Sequence, residues 1–485
     1  MFTVFSWFSR AWLSAVLLQL FLGACAFAAD RPPNILVAIA DDWSRHAGVY
    51  GDPVVKTPVF DRVAREGAVF RSAHCAAPSC SPSRAALLTG RMPHELEEGG
   101  NLWGTVPAKF ALYTDLLREA GYNVACEGKG WGPGDWKAGG REIPPAGLRV
   151  KSFEEFWKAH KKGKPFCFWF GSTDPHRPYQ RGSGIAAGMK PEDVQLPPYW
   201  PDTPEVRSDV LDYYFEVQRF DSRVGEILKM LADAGELENT IVIITSDNGM
   251  PFPRAKATVY ERGTAVPLAI RWPAGFQGGL DVSSLVSLSD LAPTILEATG
   301  KPVPAEMSGR SLLPILKRSE SPDARDKVFV ERERHAHVRQ GNLSYPARAV
   351  RTREYLYIRN FRPNRWPAGD PEMVFSVGKY GDIDDGPTKR AVIRMLEDPA
   401  TAAMAKLSLG KRPAEELYAL SSDSHEMMNV AGHTEHAETE KRLRAELDAW
   451  MSRTGDPRAT SDDDPWDRFP YSGHPGPGLR PAKRP

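Results

Sequence analysis

Asn34-Ile35-Leu36-Val37-Ala38-Ile39-Ala40 runs without a polar break after its first residue and stops at Asp41-Asp42. A strand with one face in water alternates polar and apolar residues. A continuous apolar run of this length instead fits a strand buried on both faces, as in a parallel sheet covered by helices. The pattern returns downstream. Pro165 to Phe170 (PFCFWF) opens into Ser172-Thr173-Asp174-Pro175-His176, and Thr240 to Thr245 (TIVIIT) ends in Ser246-Asp247-Asn248-Gly249. A shorter strand, Tyr122 to Cys126, leads into Gly128-Lys129. Helical stretches lie between them, from about Ala108 to Ala120 closed by Gly121, and from about Glu205 to Ala234 closed by Gly235. Strands alternating with helices predict an α/β fold with a large, mostly parallel central sheet, in which ligands bind at the carboxyl ends of strands. All these strands end in chemically capable residues: Asp41 and Asp42, Lys129, His176, Asp247 and Asn248.

After about Val350 the pattern changes. Tyr355-Leu356-Tyr357-Ile358 alternates like an antiparallel strand, and a helix follows from about Glu435 to Met451. The expected organisation is a leader over residues 1–28 and a catalytic α/β domain over 29–350. A smaller α+β domain with an antiparallel sheet follows over 351–453, then a Pro/Gly/Asp-rich tail over 454–485 that wraps the surface or stays unfolded.

The chain has 485 residues, 41% of them hydrophobic and 26% charged, enough for one large core and a second smaller one. Its 62 Lys and Arg balance its 62 Asp and Glu, so no overall field draws it to nucleic acid, and a polyanionic substrate has to be met by local basic clusters. Arg10, the apolar run Ala11 to Ala24 and the small residues ending Ala26-Phe27-Ala28 read as a signal peptide cleaved near Ala28, too short for a membrane span. Leu22-Gly23-Ala24-Cys25 equally fits a bacterial lipobox, in which Cys25 carries a lipid anchor. Either reading exports the protein, as a periplasmic or secreted enzyme or as an outer-surface lipoprotein. Five cysteines are too few for a disulfide scaffold. Cys75, Cys126 and Cys167 read as small buried residues, with one bridge left open.

Asp41-Asp42 and Asp247-Asn248 offer only oxygen donors at the mouths of two strands, the donor set of a hard cation such as Ca²⁺ or Mg²⁺. One such pair alone would read as a cap or turn; two after similar strands favour metal ligation. Cys80-Ser81-Pro82-Ser83-Arg84 runs into Ala85-Ala86-Leu87-Leu88-Thr89-Gly90, a short helix closed by its glycine. Cys80 then sits near a helix N-terminus, where an anion is favoured, and stands open as a thiolate nucleophile or an inert loop cysteine. Lys129 and Lys256 taken alone read as surface lysines.

Cys80-x-Pro82-x-Arg84 followed by Leu87-Leu88-Thr89-Gly90 resembles the signature of the type I sulfatases, in which the cysteine is oxidised to formylglycine (3-oxoalanine) by a separate maturation enzyme. The similarity runs from about Pro33 into the C-terminal domain. It is greatest to the heparan N-sulfatase (sulfamidase) branch, through Thr245-Ser246-Asp247-Asn248-Gly249-Met250-Pro251-Phe252-Pro253, Tyr260, Gly263-Thr264, Ser311-Leu312-Leu313-Pro314 and Ser344-Tyr345-Pro346-x-Arg348. The resemblance implies an alkaline-phosphatase-like sandwich. It also implies Ca²⁺, in preference to Mg²⁺, held by Asp41, Asp42, Asp247, Asn248 and an oxygen of the modified Cys80. Arg84 would orient the hydrated aldehyde, Lys129 and Lys256 would grip sulfate oxygens, and His176 would face the leaving group. Substrate-binding candidates are His94, His335 and Arg348, with His337 and Tyr345 nearby. One departure stands out: where sulfatases commonly carry His two residues after the first sulfate-binding Lys, Lys129-Gly130 is followed by Trp131, so the base for sulfate release is unassigned and His94 is a candidate.

The implied partners are a sulfated carbohydrate of heparan type and a formylglycine-generating enzyme; monomer and homodimer both remain open. Two other functions remain in play: a phosphoester or phosphonate monoester hydrolase, and a decayed scaffold that only binds carbohydrate. O-sulfate and N-sulfate are not separated by the sequence.

Overall fold

A computed structural model describes residues 31–375 and 378–473; the leader and Cys25 lie outside the described residues. Strands β1 (Asn34–Ala40), β2 (Ala68–His74), β3 (Asn123–Gly128), β4 (Leu148–Val150), β5 (Phe166–Gly171), β6 (Thr240–Ser246), β7 (Ala265–Val266), β8 (Leu268–Arg271) and β9 (Leu280–Ser287) form one sheet in the order β4-β3-β5-β1-β6-β8-β2-β7, with β9 beside β2. The run from β4 to β6 is parallel throughout, and β8 then turns antiparallel against both β6 and β2. The continuous apolar reading of β1 has its physical cause here. Leu36, Ala38 and Ala40 face one core, Ile35, Val37 and Ile39 face the other, and each is fully buried. Burying each Leu, Ile or Val contributes roughly 1.5–3 kcal/mol.

Strands β10 (Lys327–Arg332), β11 (Ala347–Thr352), β12 (Tyr355–Asn360) and β13 (Glu415–Ala419) form a separate antiparallel sheet. It begins before residue 350, so the boundary expected there falls inside β11. Alternation was legible only in β12, whereas Ala347, Arg348, Ala349 and Val350 are all buried. This sheet and the helix Ala437–Arg453 pack Val350, Tyr357, Leu417, Leu443, Leu447, Trp450 and Met451 against Ala76 and Ala86, around the helix Cys80–Thr89.

One other expectation needs correction, and one left open is decided. The helix placed at Ala108 to Ala120 begins only at Tyr113, because the Arg141 guanidinium takes the carbonyls of Val106, Pro107 and Phe110 and fixes that stretch as turns. The segment after Thr454 is packed as far as it is described. Trp466 is buried with its Nε1 donating to the Glu97 carbonyl (3.1 Å), and Arg458 pairs with Glu333 (2.7 Å). Cys75, Cys80, Cys126 and Cys167 are free thiols, so the bridge left open is not formed among them.

Candidate active site

The carboxyl ends of β1, β3, β5 and β6 meet the first turn of the helix Cys80–Thr89 at a cleft of about 960 Å³. Asp41, Cys80, Lys129, His176, Lys256 and His335 all line it. Close strand packing makes this possible. Gly171, at the end of β5, lets the Lys129 backbone approach so near that a Cβ there would lie 1.7 Å from the Lys129 carbonyl oxygen, and Lys129 N donates to the Gly171 carbonyl (2.7 Å). Asp42 adopts the left-handed region (φ 74°), uncommon for a residue with a side chain. Its amide donates to Asp247 Oδ1 (3.0 Å), which ties the ends of β1 and β6 together.

Ligand atoms of Asp41, Asp42, Cys80 and Asp247 lie within 4.8 Å of one another, all buried. Cys80 Sγ is 3.6 Å from Asp41 Oδ1 and 3.8 Å from Asp42 Oδ1. Asn248 Nδ2 donates to Asp42 Oδ1 (2.8 Å), while among the described residues its own Oδ1 is buried without a hydrogen-bond partner. A buried acceptor left unmatched is costly, and three carboxylates beside it make an oxygen-only set that suits a hard cation. Burial, with Asp41 and Asp247 as like charges, pushes the Asp42 carboxyl up despite Lys256, which is consistent with a place for further positive charge.

Two lysines close the cluster. Lys129 Nζ donates to both oxygens of Asp41 (2.6 and 2.7 Å), and Lys256 Nζ donates to Asp42 Oδ2 (2.7 Å) and Asp384 Oδ2 (3.0 Å). Burial lowers both ammonium groups, but Asp41 for Lys129, and Asp384 and Asp42 for Lys256, outweigh it and hold the two charged. Arg84 Nε donates to Asp247 Oδ2 (2.8 Å) and Nη1 to the Lys129 and Gly130 carbonyls (2.9 Å each). Its Nη2 lies 3.5 Å from Asp41 Oδ1 and, among the described residues, has no hydrogen-bond partner, which leaves a spare donor in the cluster that holds Cys80. His176 Nδ1 donates to the Arg177 carbonyl (2.6 Å), which leaves Nε2 toward the cleft, 3.7 Å from Asp42 Oδ2. Burial drives the Cys80 thiol well above its ordinary value, against the pull of Lys129 and Lys256, so an unmodified thiolate is disfavoured here.

The structure therefore brings together Asp41, Asp42, Cys80, Arg84, Lys129, His176, Asp247, Asn248 and Lys256. His335 also reaches the cleft wall, its Nδ1 2.8 Å from Ser79 Oγ, and burial lowers it to about 3, so it is a neutral imidazole. Trp131 lines the cleft while its Nε1 donates to the Ser81 carbonyl (3.1 Å), supporting the first turn of the Cys80 helix. His94 and Arg348 are not brought to the site. His94 Nδ1 contacts Glu331 Oε2 (2.6 Å) with its ring edge-on to Trp450 (5.2 Å). Arg348, fully buried, is held by Asp456 (2.6 Å), Glu333 (2.9 Å) and Glu331 (3.3 Å). These are ion pairs of the interior, and neither residue lines the cleft. Tyr345 lines a separate cavity of about 30 Å³, and His337 stacks on Phe375 (4.2 Å). Asp384 was missed by the sequence reading: it lies in an acidic turn, Asp382 to Asp385, far along the chain from every motif, and only folding places it beside Lys256.

The profile of the sulfatase family matches residues 33–140 and 148–301. The chain belongs to the sulfatase family, enzymes that hydrolyse sulfate esters or sulfamates. A second profile, N-sulphoglucosamine sulphohydrolase, C-terminal, matches residues 254–371. The chain is 32% identical over 493 aligned residues to N-sulphoglucosamine sulphohydrolase of Homo sapiens, covering 91% of this chain and 93% of that one. It is 27% identical to an ulvan-active sulfatase of Formosa agariphila, over 87% of this chain and 75% of the relative. Among solved structures, one in complex with its substrate D-glucosamine-2-N,6-O-disulfate superposes with a TM-score of 0.61 at 21% identity, covering 90% of this chain and all of the other. A 2-O glycosaminoglycan sulfatase superposes with a TM-score of 0.62 at 21% identity, covering 92% and 99%. These two likenesses are of fold.

Proposed function

We propose that the chain is an exported sulfatase that removes the N-sulfate of N-sulfoglucosamine units in heparan-type sugars, with Cys80 oxidised to formylglycine and Ca²⁺, rather than Mg²⁺, in the carboxylate cluster. The observation that carries this reading is the convergence of Cys80, three carboxylates, Asn248, two lysines and His176 at one cleft. The choice of substrate is supported by the full-length similarity to a protein named for N-sulphoglucosamine.

Asp41, Asp42, Asp247 and Asn248 would hold the cation, whose charge would offset that building on the sulfuryl oxygens. Oxidised Cys80 would supply an aldehyde hydrate, one hydroxyl to attack sulfur and a second to release sulfate by restoring the carbonyl. The chain's own residues do the rest. Lys129 and Lys256 stand as fixed cations for the sulfate oxygens, preorganised by Asp41 and Asp42. Arg84 Nη2 has a free donor to orient the group at position 80. His176, with Nδ1 committed to a carbonyl, delivers a proton to the leaving atom from Nε2.

Export by the 1–28 leader, with lipid attached at Cys25 as the anchored form, and maturation by a formylglycine-generating enzyme belong to the same proposal. Among the described residues no helix is long and apolar enough to cross a membrane. The reading is tested by measuring sulfate or phosphate release from N-sulfoglucosamine, O-sulfated glucosamine and a phosphate monoester in parallel. The highest kcat/KM is expected on the sulfamate, and dominance of the phosphate ester would overturn the assignment.

A further inference from the structure

Asp384 is a second carboxylate on Lys256 that the cation cluster does not need. Lys256 is already paired with Asp42 Oδ2 at 2.7 Å, and Asp384 Oδ2 adds a second contact at 3.0 Å. Acceptor or donor atoms of Asp42, His176 and Asp384 lie within 4.8 Å of one another, so this carboxylate borders the His176 ring where that ring faces the cleft.

The placement is fixed by the chain on both sides. Asp382 takes ion pairs from Arg332 (2.5 Å) and Arg339, the Ile383 carbonyl accepts from Lys389 Nζ (2.7 Å), and Thr388 N and Oγ1 donate to Asp209 Oδ2 (3.1 and 2.6 Å). A turn anchored this firmly costs nothing further to order when substrate arrives. Burial raises the Asp384 carboxyl, but Lys256 and then His176 outweigh it and hold the group below the usual carboxylate range.

The chemistry at the leaving atom gives this anion a purpose. When an O-sulfate is cleaved, the S–O bond breaks with its electron pair moving to oxygen, and negative charge builds there until a proton arrives. A nearby carboxylate opposes that charge. When a sulfamate is cleaved, nitrogen takes its proton as or before the S–N bond breaks, so positive charge builds at nitrogen. The balance is R–NH–SO₃⁻ plus water giving R–NH₃⁺ and SO₄²⁻, and a carboxylate stabilises the cationic side of it. We propose that Asp384 is a specificity-determining residue that selects a nitrogen over an oxygen leaving group, through its position beside His176 and Lys256. This rests on the sulfamidase reading above and deepens it.

The test is Asp384→Asn in the full-length, matured enzyme, with kcat and KM measured on glucosamine N-sulfate and glucosamine 6-O-sulfate. The ratio of kcat/KM for N- over O-sulfate is expected to fall about 30-fold or more, chiefly in kcat for the sulfamate. The loss on the O-sulfate should be much smaller than the loss on the sulfamate, and Asp384→Glu should retain much of the preference. Asp385→Asn, at the exposed neighbour, should leave the ratio unchanged. Equal loss on both substrates would make Asp384 a mere prop for Lys256 and overturn the inference. A wild-type enzyme that cleaves only O-sulfates would instead remove the sulfamidase reading, and this inference with it. If Asp384→Asn does not fold, Asp384→Ser takes its place with the same readout: a larger loss on the sulfamate than on the O-sulfate supports the proposal, and parallel losses contradict it.

Discussion

The molecule buries two clusters of charge, and they differ in what they leave unsatisfied. In the first, at the ends of β1 and β6, Asn248 Oδ1 and Arg84 Nη2 are buried with bonding capacity unused, and the cluster opens to a large cleft. In the second, under β10 and β11, Arg348 spends its donors on Asp456, Glu333 and the carbonyls of Arg332 and Ala347, and Arg458 binds both Glu333 and Asp464. His94 Nε2 is left without a partner among the described residues, its ring edge-on to Trp450 and away from the cleft. Burial and charge alone therefore do not mark a site. Spare donors and acceptors in a cluster that borders a cleft do, whereas paired charges hold the small sheet and the C-terminal segment to the body of the protein.

The contrast can be broken at either end. Cys80→Ala should cost the largest effect, at least about 10⁴-fold in kcat, with the melting temperature nearly unchanged, since the residue contributes chemistry and little packing. Arg348→Ala should do the reverse. Leaving Glu331, Glu333 and Asp456 without their shared cation should destabilise the fold by about 3–5 kcal/mol in denaturant unfolding, while kcat/KM per folded molecule stays within about threefold. An intermediate effect is expected from chelation: dialysis against EGTA should abolish turnover and lower stability by about 2.7 kcal/mol relative to Ca²⁺ held at a hundredfold over its Kd. Stability insensitive to chelation would remove the cation from the first cluster.

The smallest effect concerns pH. Burial lowers the His94 imidazole, but Glu331 outweighs it and leaves the group above its ordinary 6.5. A raised histidine contributes stability that is fully present below pH 6.5 and is lost as pH rises through the higher folded value. Melting temperature should therefore decline as pH rises from about 6.5 through that higher value, and His94→Gln should flatten that decline without changing the pH profile of KM.

How much of this was legible in the sequence follows the same division. The central sheet could be read because doubly buried strands such as β1 and β6 are apolar throughout, and the site could be read because chemistry at a strand's carboxyl end is adjacent to it in sequence. Arg348 misled because an arginine in a strand looks alike whether it faces substrate or a buried carboxylate, and its partner Asp456 is 108 residues away. Asp384 was invisible for the same reason, its partner Lys256 lying 128 residues upstream. Composition left the segment after Thr454 as either wrapping the surface or unfolded, and burial of Trp466 with the Arg458 ion pairs docks its described part.

The account turns on one side chain. Intact-peptide mass spectrometry across Cys80, on protein from its own host or expressed with a maturation enzyme, tests it most directly, with a hydrazine reagent to trap the aldehyde. The prediction is a peptide in which the thiol has become an aldehyde and forms the hydrazone. An unmodified, unreactive Cys80 thiol in protein from its own host would contradict the formylglycine mechanism and the function built on it.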